Sequence, residues 1–300
     1  MKRINFSRLS TEQPNPRSRG LDKMTSRQIV RLMNREDTRV LQAINRAVNP
    51  IARGADLIAA CFQKGGRLIL VGAGTSGRLA VMEAAECPPT FNSDQVMALM
   101  AGGKRAVFKS QEGAEDSESK ARKAVRQAVR SGDVVLGIAA SGVTPYVRSA
   151  LQEARRCGAR TLLLTCNAKT TLPSAQLRIA LNVGPEVLTG STRLKSGTAC
   201  KMVLNMLTTA AMVQSGKVYD HWMVDLQPKS RKLVARGMRL IQQLGRVSEK
   251  QAGKLFQQAR GRVKPAILMA RKNIYYTQAL KQLSEAKGVL RKAITNGIKT

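Results

Sequence analysis

Apolar residues recur at two different spacings along this chain, and the switch between them outlines its architecture. Ile29, Leu32 and Met33 fall on one face at helical spacing, and Val40, Ile44, Val48 and Ile51 begin a second stripe. Thr25 to Cys61 therefore reads as two helices, with Ser26 as the cap of the first. Short apolar runs follow at Leu68–Val71, Val96–Met100, Val134–Ala139, Thr161–Thr165 and Ile179–Val183, and each reads as a buried strand. Between them lie helical patterns: one from Leu79, a charged one over Ser117–Arg130 with Ser117 as cap, one from Pro145 to about Cys157, and a long one over Thr192–Gln214. Strands alternating with helices predict βαβ units and an α/β fold, a parallel sheet sandwiched between helices.

Both ends break this rhythm. The first 20 residues are polar and contain prolines, which suggests an extended arm. After Pro228 the strand signal stops, and short helices separated by Gly245, Gly261 and Gly288 predict a small C-terminal helical domain. Its core would include Leu255, Phe256, Ile267, Leu268, Leu280 and Leu283. The expected organisation is an arm over 1–24, an α/β domain over 25–227 and a helical domain over 228–300.

Composition narrows the choices. No run of about 18 apolar residues offers a membrane span. The basic N-terminus has no apolar segment behind it, so no secretory signal is expected. Five scattered cysteines, with no metal-ligand spacing, read as reduced core thiols in a cytoplasmic protein. The single histidine, His221, leaves little material for a histidine-based metal site or triad. The net charge is +32, and Leu226 to Thr300 carries 18 Lys and Arg against 2 acids. Two readings stand: polyanion binding by the C-terminal part, or a solvated basic surface. The second is favoured, because the charge is spread over amphipathic helices and aromatic residues are only 3% of the chain.

The chemistry concentrates in turns. Gly72-Ala73-Gly74-Thr75-Ser76-Gly77-Arg78 follows the first strand and opens a helix. Glycines let a backbone approach a ligand closely, and a helix start offers free N–H groups and partial positive charge to a phosphate. Thr75 and Ser76 add hydroxyl donors. The segment matches neither a nucleotide P-loop nor the G-x-G-x-x-G fingerprint, and a ligand-free glycine turn is the alternative. Ala140-Ser141-Gly142 forms a second hydroxyl turn after another strand, opening on the same sheet edge. Among the 19 acids, Glu83 and Glu86 lie three apart on the helix after the first turn, and Glu112, Glu115 and Asp116 precede the charged helix. Two carboxylates beside a phosphosugar would allow acid–base chemistry. Alternatively, Glu115 and Asp116 stabilise that helix's N-terminus.

A resemblance then covers residues 11 to about 240. Gly72-Ala73-Gly74-Thr75-Ser76-Gly77-Arg78-Leu79, Ala85-Glu86-Cys87-Pro88-Pro89-Thr90, Glu112-Gly113-Ala114-Glu115-Asp116-Ser117 and Gly137-Ile138-Ala139-Ala140-Ser141-Gly142 resemble the N-acetylmuramic acid 6-phosphate etherases. So does Leu188-Thr189-Gly190-Ser191-Thr192-Arg193-Leu194-Lys195. The resemblance implies a sugar-isomerase (SIS) domain, usually in a homodimer, and cytoplasmic recycling of cell-wall amino sugars. The implied reaction releases D-lactate by elimination and then adds water, with no metal or organic cofactor. It places the proton donor at Glu86 and the C2 base at Glu115. With the turn chemistry it makes Thr75, Ser76 and Ser141 phosphate contacts. Arg193 and Lys195 become candidate cations for the phosphate or the lactyl carboxylate; helix-start residues facing solvent are the alternative. Val143 stands where the family's arginine is expected, His221-Trp222 where Asn-Leu is usual, and Glu83 where aspartate is commoner. A phosphosugar-binding regulatory protein and an aldose–ketose isomerase of the same fold remain as alternatives.

Overall fold

A capping box fixes where the first helix begins. Thr25 Oγ1 accepts the Gln28 backbone N–H, and Gln28 Oε1 accepts the Thr25 N–H at 2.7 Å. Helix α1 therefore runs Ser26–Arg46, capped by Thr25 and not by Ser26, and α2 runs Val48–Gln63. The computed structural model describes residues 7, 9–226, 228 and 230–295. They divide into two compact units, one extending to Ala85 and resuming over Gln95–Thr208, the other Glu86–Asp94 with Thr209 onward.

The first unit is built on a five-stranded sheet. Its strands are β1 Leu68–Gly72, β2 Val96–Met100, β3 Val134–Ile138, β4 Arg160–Thr165 and β5 Leu177–Ala180. All pairings are parallel, in the order β2-β1-β3-β4-β5. The intervening helices are α3 Gly74–Phe91, α4 Gly103–Phe108, α5 Glu118–Ala128 and α6 Pro145–Arg156, and α7 is Lys195–Gln214. β1, β3 and the interior of β4 are buried on both faces, as expected for a sheet covered by helices. Ile69, Val71, Val135 and Leu163 pack against Val125 of α5 and Val147 and Leu151 of α6. On the other face, a Cβ added to Gly54 of α2 would stand 2.9 Å from Leu207 of α7 and 3.5 Å from Leu162 of β4. The fifth strand starts and ends earlier than its apolar run suggested, because its register is set by Leu162 pairing with Leu177. Ser117 sits at the N-cap of α5 without a side-chain cap bond.

The N-terminal segment is not a free arm. It makes short 3-10 turns at Ser10–Glu12, Pro16–Ser18 and Leu21–Lys23, with Thr11 and Asn15 buried. Asn15 Nδ2 donates to Glu36 Oε2 at 2.8 Å and to the Pro185 carbonyl at 3.3 Å.

The second unit contains the hairpin β6 (Val218–Tyr219) and β7 (Trp222–Met223), then α8 Arg231–Gly245, α9 Glu249–Gln258, α10 Val263–Lys272, α11 Tyr276–Glu285 and α12 Leu290–Thr295. Leu240, Ile241, Ile267, Leu268 and Leu283 are buried in its core, with Leu255 and Phe256 half-buried against it. Leu280 is only half-buried. His221 lies exposed in the hairpin turn, its ring 4.5 Å from that of Trp222. None of the five cysteines forms a disulfide among the described residues, and four are buried. No helix among the described residues is long and apolar enough to cross a membrane.

Candidate functional site

The chain reverses direction across the sheet between β1 and β3, the position where open α/β sheets hold ligands beyond the carboxyl ends of their strands. Gly72 pairs with Ile138, so the turns that leave these two strands start side by side. In the β1–α3 turn, Gly74 has φ +52°, and α3 begins there, placing Thr75 and Ser76 in its first turn. A Cβ on Gly72 would lie 2.6 Å from Gly77 N, and one on Gly77 would lie 2.7 Å from Met100 Cγ. The helix start is thus pressed onto the strand end, which aims its free N–H groups outward. Thr75 and Ser76 are half-buried.

The β3–α6 turn is braced from behind. Ser141 O accepts from Asn167 Nδ2 at 3.2 Å and from Thr170 Oγ1 at 3.3 Å. Gly142 has φ +76°, and a Cβ there would collide with Thr170 at 2.2 Å. Ser141 Oγ accepts the Val143 N–H at 3.3 Å, which leaves its own hydroxyl proton to give.

The start of α7 comes to the same place. A Cβ on Gly197 would stand 3.5 Å from Thr75 Cγ2. Glu186 accepts the N–H groups of Lys195 and Ser196 at 3.0 and 2.9 Å, capping α7 from nine residues upstream. The helix therefore begins at Lys195, later than its apolar pattern suggested.

Glu115 belongs to this edge. It lies in the 3-10 turn Ala114–Asp116 and, with Ala73, Gly74, Arg78 and Glu112, lines a cavity of about 110 Å³. Arg78 Nε donates to the Val107 carbonyl at 2.9 Å, which fixes its guanidinium. Glu112 is tied to Ser110 Oγ at 2.9 Å. Glu115 is exposed and, among the described residues, has no hydrogen-bond or ion-pair partner. Glu86 is likewise exposed and without such a partner, three turns beyond Thr75 along α3, where it falls in the second compact unit.

The remaining candidates separate. Arg193 is exposed in the turn before α7. Lys195 is neither a free cation nor a solvent-facing residue: it is 1% exposed, with Nζ 2.5 Å from Glu36 Oε2. That pairing removes it from the anion contacts that its position suggested. Glu83, the neighbour of Glu86 by spacing, is buried and saturated: Lys201 Nζ donates to Oε2 and Thr208 Oγ1 to Oε1 at 2.6 Å. Val143 lines a cavity of about 300 Å³ with Arg148, Gln152 and Pro173. Two site residues had no role assigned in advance. Arg78 was visible at the end of the turn motif; Glu186, 0% exposed, gave only the signal of an acid in an apolar stretch. No cluster of His, Cys, Asp and Glu suited to a metal occurs among the described residues.

Two family models match the chain: the glucokinase regulatory protein N-terminal SIS domain over residues 50–155, and the SIS domain over residues 107–210. The N-acetylmuramic acid 6-phosphate etherase of Geobacillus thermodenitrificans is 46% identical over 290 residues, covering 95% of this chain and 98% of that protein. The N-acetylmuramic acid 6-phosphate etherase 2 of Vibrio cholerae is 47% identical over 293 residues, 96% and 95% of the two chains. Among solved structures, the phosphoheptose isomerase GmhA of Neisseria gonorrhoeae aligns with a TM-score of 0.48 and 20% identity, over 62% of this chain and 98% of that one.

Proposed function

This chain belongs to the N-acetylmuramic acid 6-phosphate etherase family, and on that premise we propose that it cleaves the D-lactyl ether of N-acetylmuramic acid 6-phosphate. Water is consumed, and the products are N-acetylglucosamine 6-phosphate and D-lactate. The observation that carries the reading is the cavity that Glu115 shares with the Ala73–Gly74 turn.

In this reading the phosphate sits at the first turn of α3, held by backbone N–H groups and by Thr75 and Ser76, with Ser141 donating from the adjoining turn. Arg193 supplies an exposed cation from the turn before α7. The open-chain sugar has an aldehyde at C1, which acidifies the C2 proton. Glu115 removes that proton, and the freed electron pair forms the C2–C3 double bond as the C3–O bond breaks. By resemblance to the family motif at Ala85-Glu86-Cys87-Pro88-Pro89-Thr90, the role of protonating the departing lactate oxygen falls to Glu86. Water then adds its hydroxyl to C3, Glu86 taking its proton, and Glu115 returns a proton to C2. Both carboxylates are exposed and unpartnered, so their lone pairs are open to substrate.

The active form is a homodimer in this reading. Val30, Leu41, Met82, Phe108 and Leu188 of the first unit are 42–93% exposed, apolar surface that a second copy would cover. Sedimentation equilibrium checks this, and a purely monomeric species at micromolar concentration would overturn it.

The deciding experiment for the reaction is incubation with N-acetylmuramic acid 6-phosphate in deuterated water. D-lactate together with deuterium at C2 of the sugar product supports elimination and readdition. Sugar binding by calorimetry without lactate release would make the chain a phosphosugar sensor instead.

A further inference from the structure

A second basic feature lies along α1, apart from the β1–β3 edge. Arg35, Thr38, Arg39, Gln42 and Arg46 follow one another at steps of three and four residues, apart from the adjacent pair Thr38 and Arg39, and so share one face of the helix. They form one wall of a recess of about 610 Å³, and Arg17 and the loop after β5 at Asn182–Gly184 form the other. No acidic and no aromatic side chain is among its lining residues.

Two of the arginines are set in place from beneath. Glu36, 0% exposed, holds Arg17 Nη1 at 2.8 Å and Arg39 Nε at 3.6 Å. A Cβ on Gly184, whose φ is +70°, would stand 3.0 Å from Arg39 Nη1, so the bare glycine leaves room for that guanidinium. Glu36 is shared further with Lys195, so one carboxylate balances three cations. Arg35 and Arg46 have no counter-charge within ion-pairing distance among the described residues. The recess thus concentrates uncompensated positive charge on partly pre-oriented arginine forks, the groups that bind phosphate oxygens two at a time.

Its length says what kind of anion fits. Arg35 and Arg46 are eleven residues apart, about 16 Å along the helix axis. A single phosphate could not meet both, whereas a chain of phosphates could reach from one to the other with the side chains folding inward. With no aromatic lining residue, the recess offers a nucleobase no ring to stack on. We propose that this recess is a second anion site, which binds a linear chain of three or more phosphates, either free or as the tail of a nucleoside triphosphate.

Calorimetric titration of the full chain with inorganic tripolyphosphate, near physiological salt, tests it. Saturable binding is expected, weakened about tenfold or more by Arg35→Ala with Arg46→Ala. Those two arginines do not touch Glu36, so the buried pairs beneath survive; an unchanged urea midpoint verifies the fold. A charge-matched pair on the exposed side of α5, Lys120→Ala with Lys123→Ala, should leave the affinity unchanged, as should Ser76→Ala. ATP should bind about as tightly as tripolyphosphate. Equal weakening by both double variants would reduce the effect to net charge and overturn the site. Loss in Ser76→Ala would move the binding to the β1–α3 turn, and ATP binding tenfold tighter would refute recognition through phosphates alone.

Discussion

Glu36 and Glu115 lie in the same compact unit and are handled in opposite ways. Glu36 is fully buried, and both oxygens are engaged, Oε1 by Arg17 and Arg39, Oε2 by Asn15 and Lys195. Burial pushes its carboxyl up, but hydrogen bonds from Lys195, Arg17 and Asn15 outweigh that and hold it at about 2. Glu115 is exposed beside a cavity and unpartnered among the described residues. A carboxylate surrounded by fixed donors ties the N-terminal segment, α1 and α7 together, and it has no lone pair left for a substrate. A carboxylate without partners contributes little to the fold, and its lone pairs stay open to a substrate. Among the 19 acids of the chain, Glu36 is thereby committed to structure, while Glu115 is left accessible at the sheet edge.

The contrast breaks most visibly at activity. Glu115→Gln should lower D-lactate release by about 10²–10⁴-fold, the usual contribution of a positioned base, while the urea midpoint stays put. Glu36→Gln should do the reverse in kind. It leaves Lys195 buried without its counter-charge and should cost about 3–5 kcal/mol in urea unfolding. If Glu36→Gln unfolds like the parent, the buried pair is not what fastens these elements.

Acid titration sharpens the same point. Because the Glu36 carboxyl lies at about 2 when folded and near 4.5 when unfolded, the folded state binds fewer protons in between. Its contribution, on the order of 3 kcal/mol, is present in full above about pH 5 and fades as pH falls toward 2. Unfolding measured from pH 6 to pH 2 should show this loss, and Glu36→Gln should flatten that part of the profile. The smallest effect is at the phosphate. Ser76→Ala should weaken binding of N-acetylglucosamine 6-phosphate by about 1.5–3 kcal/mol, one hydrogen bond to a charged group, read by calorimetry. An unchanged affinity would move the phosphate away from the β1–α3 turn.

Much of the first unit could be read from local pattern. The run Val96–Met100 is a strand end to end, and the β1–α3 turn lies where its glycines indicated. The misplacements share a cause, which is contact over long sequence distance. The α7 start is set by Glu186, nine residues back in the chain, so its pattern alone placed it too early. β5 takes its limits from β4. Lys195, which a motif puts near an anion, meets Glu36, 159 residues away. The cap of α1 is different: Thr25-Ser26-Arg27-Gln28 carries the capping-box spacing locally, with Ser26 a competing hydroxyl one residue on. What could not be read was which acids the fold would saturate. Glu83 and Glu86 differ by three residues on one helix, yet only Glu83 meets Lys201 and Thr208.

The central claim is that Glu115 is the base at C2. Its most direct test is proton exchange at C2 of N-acetylglucosamine 6-phosphate in deuterated water, comparing the parent chain with Glu115→Gln, with sugar affinity measured alongside. Exchange in the parent, its loss in Glu115→Gln and an unchanged affinity are the predicted result. Exchange that persists in Glu115→Gln at the parent's rate would contradict it.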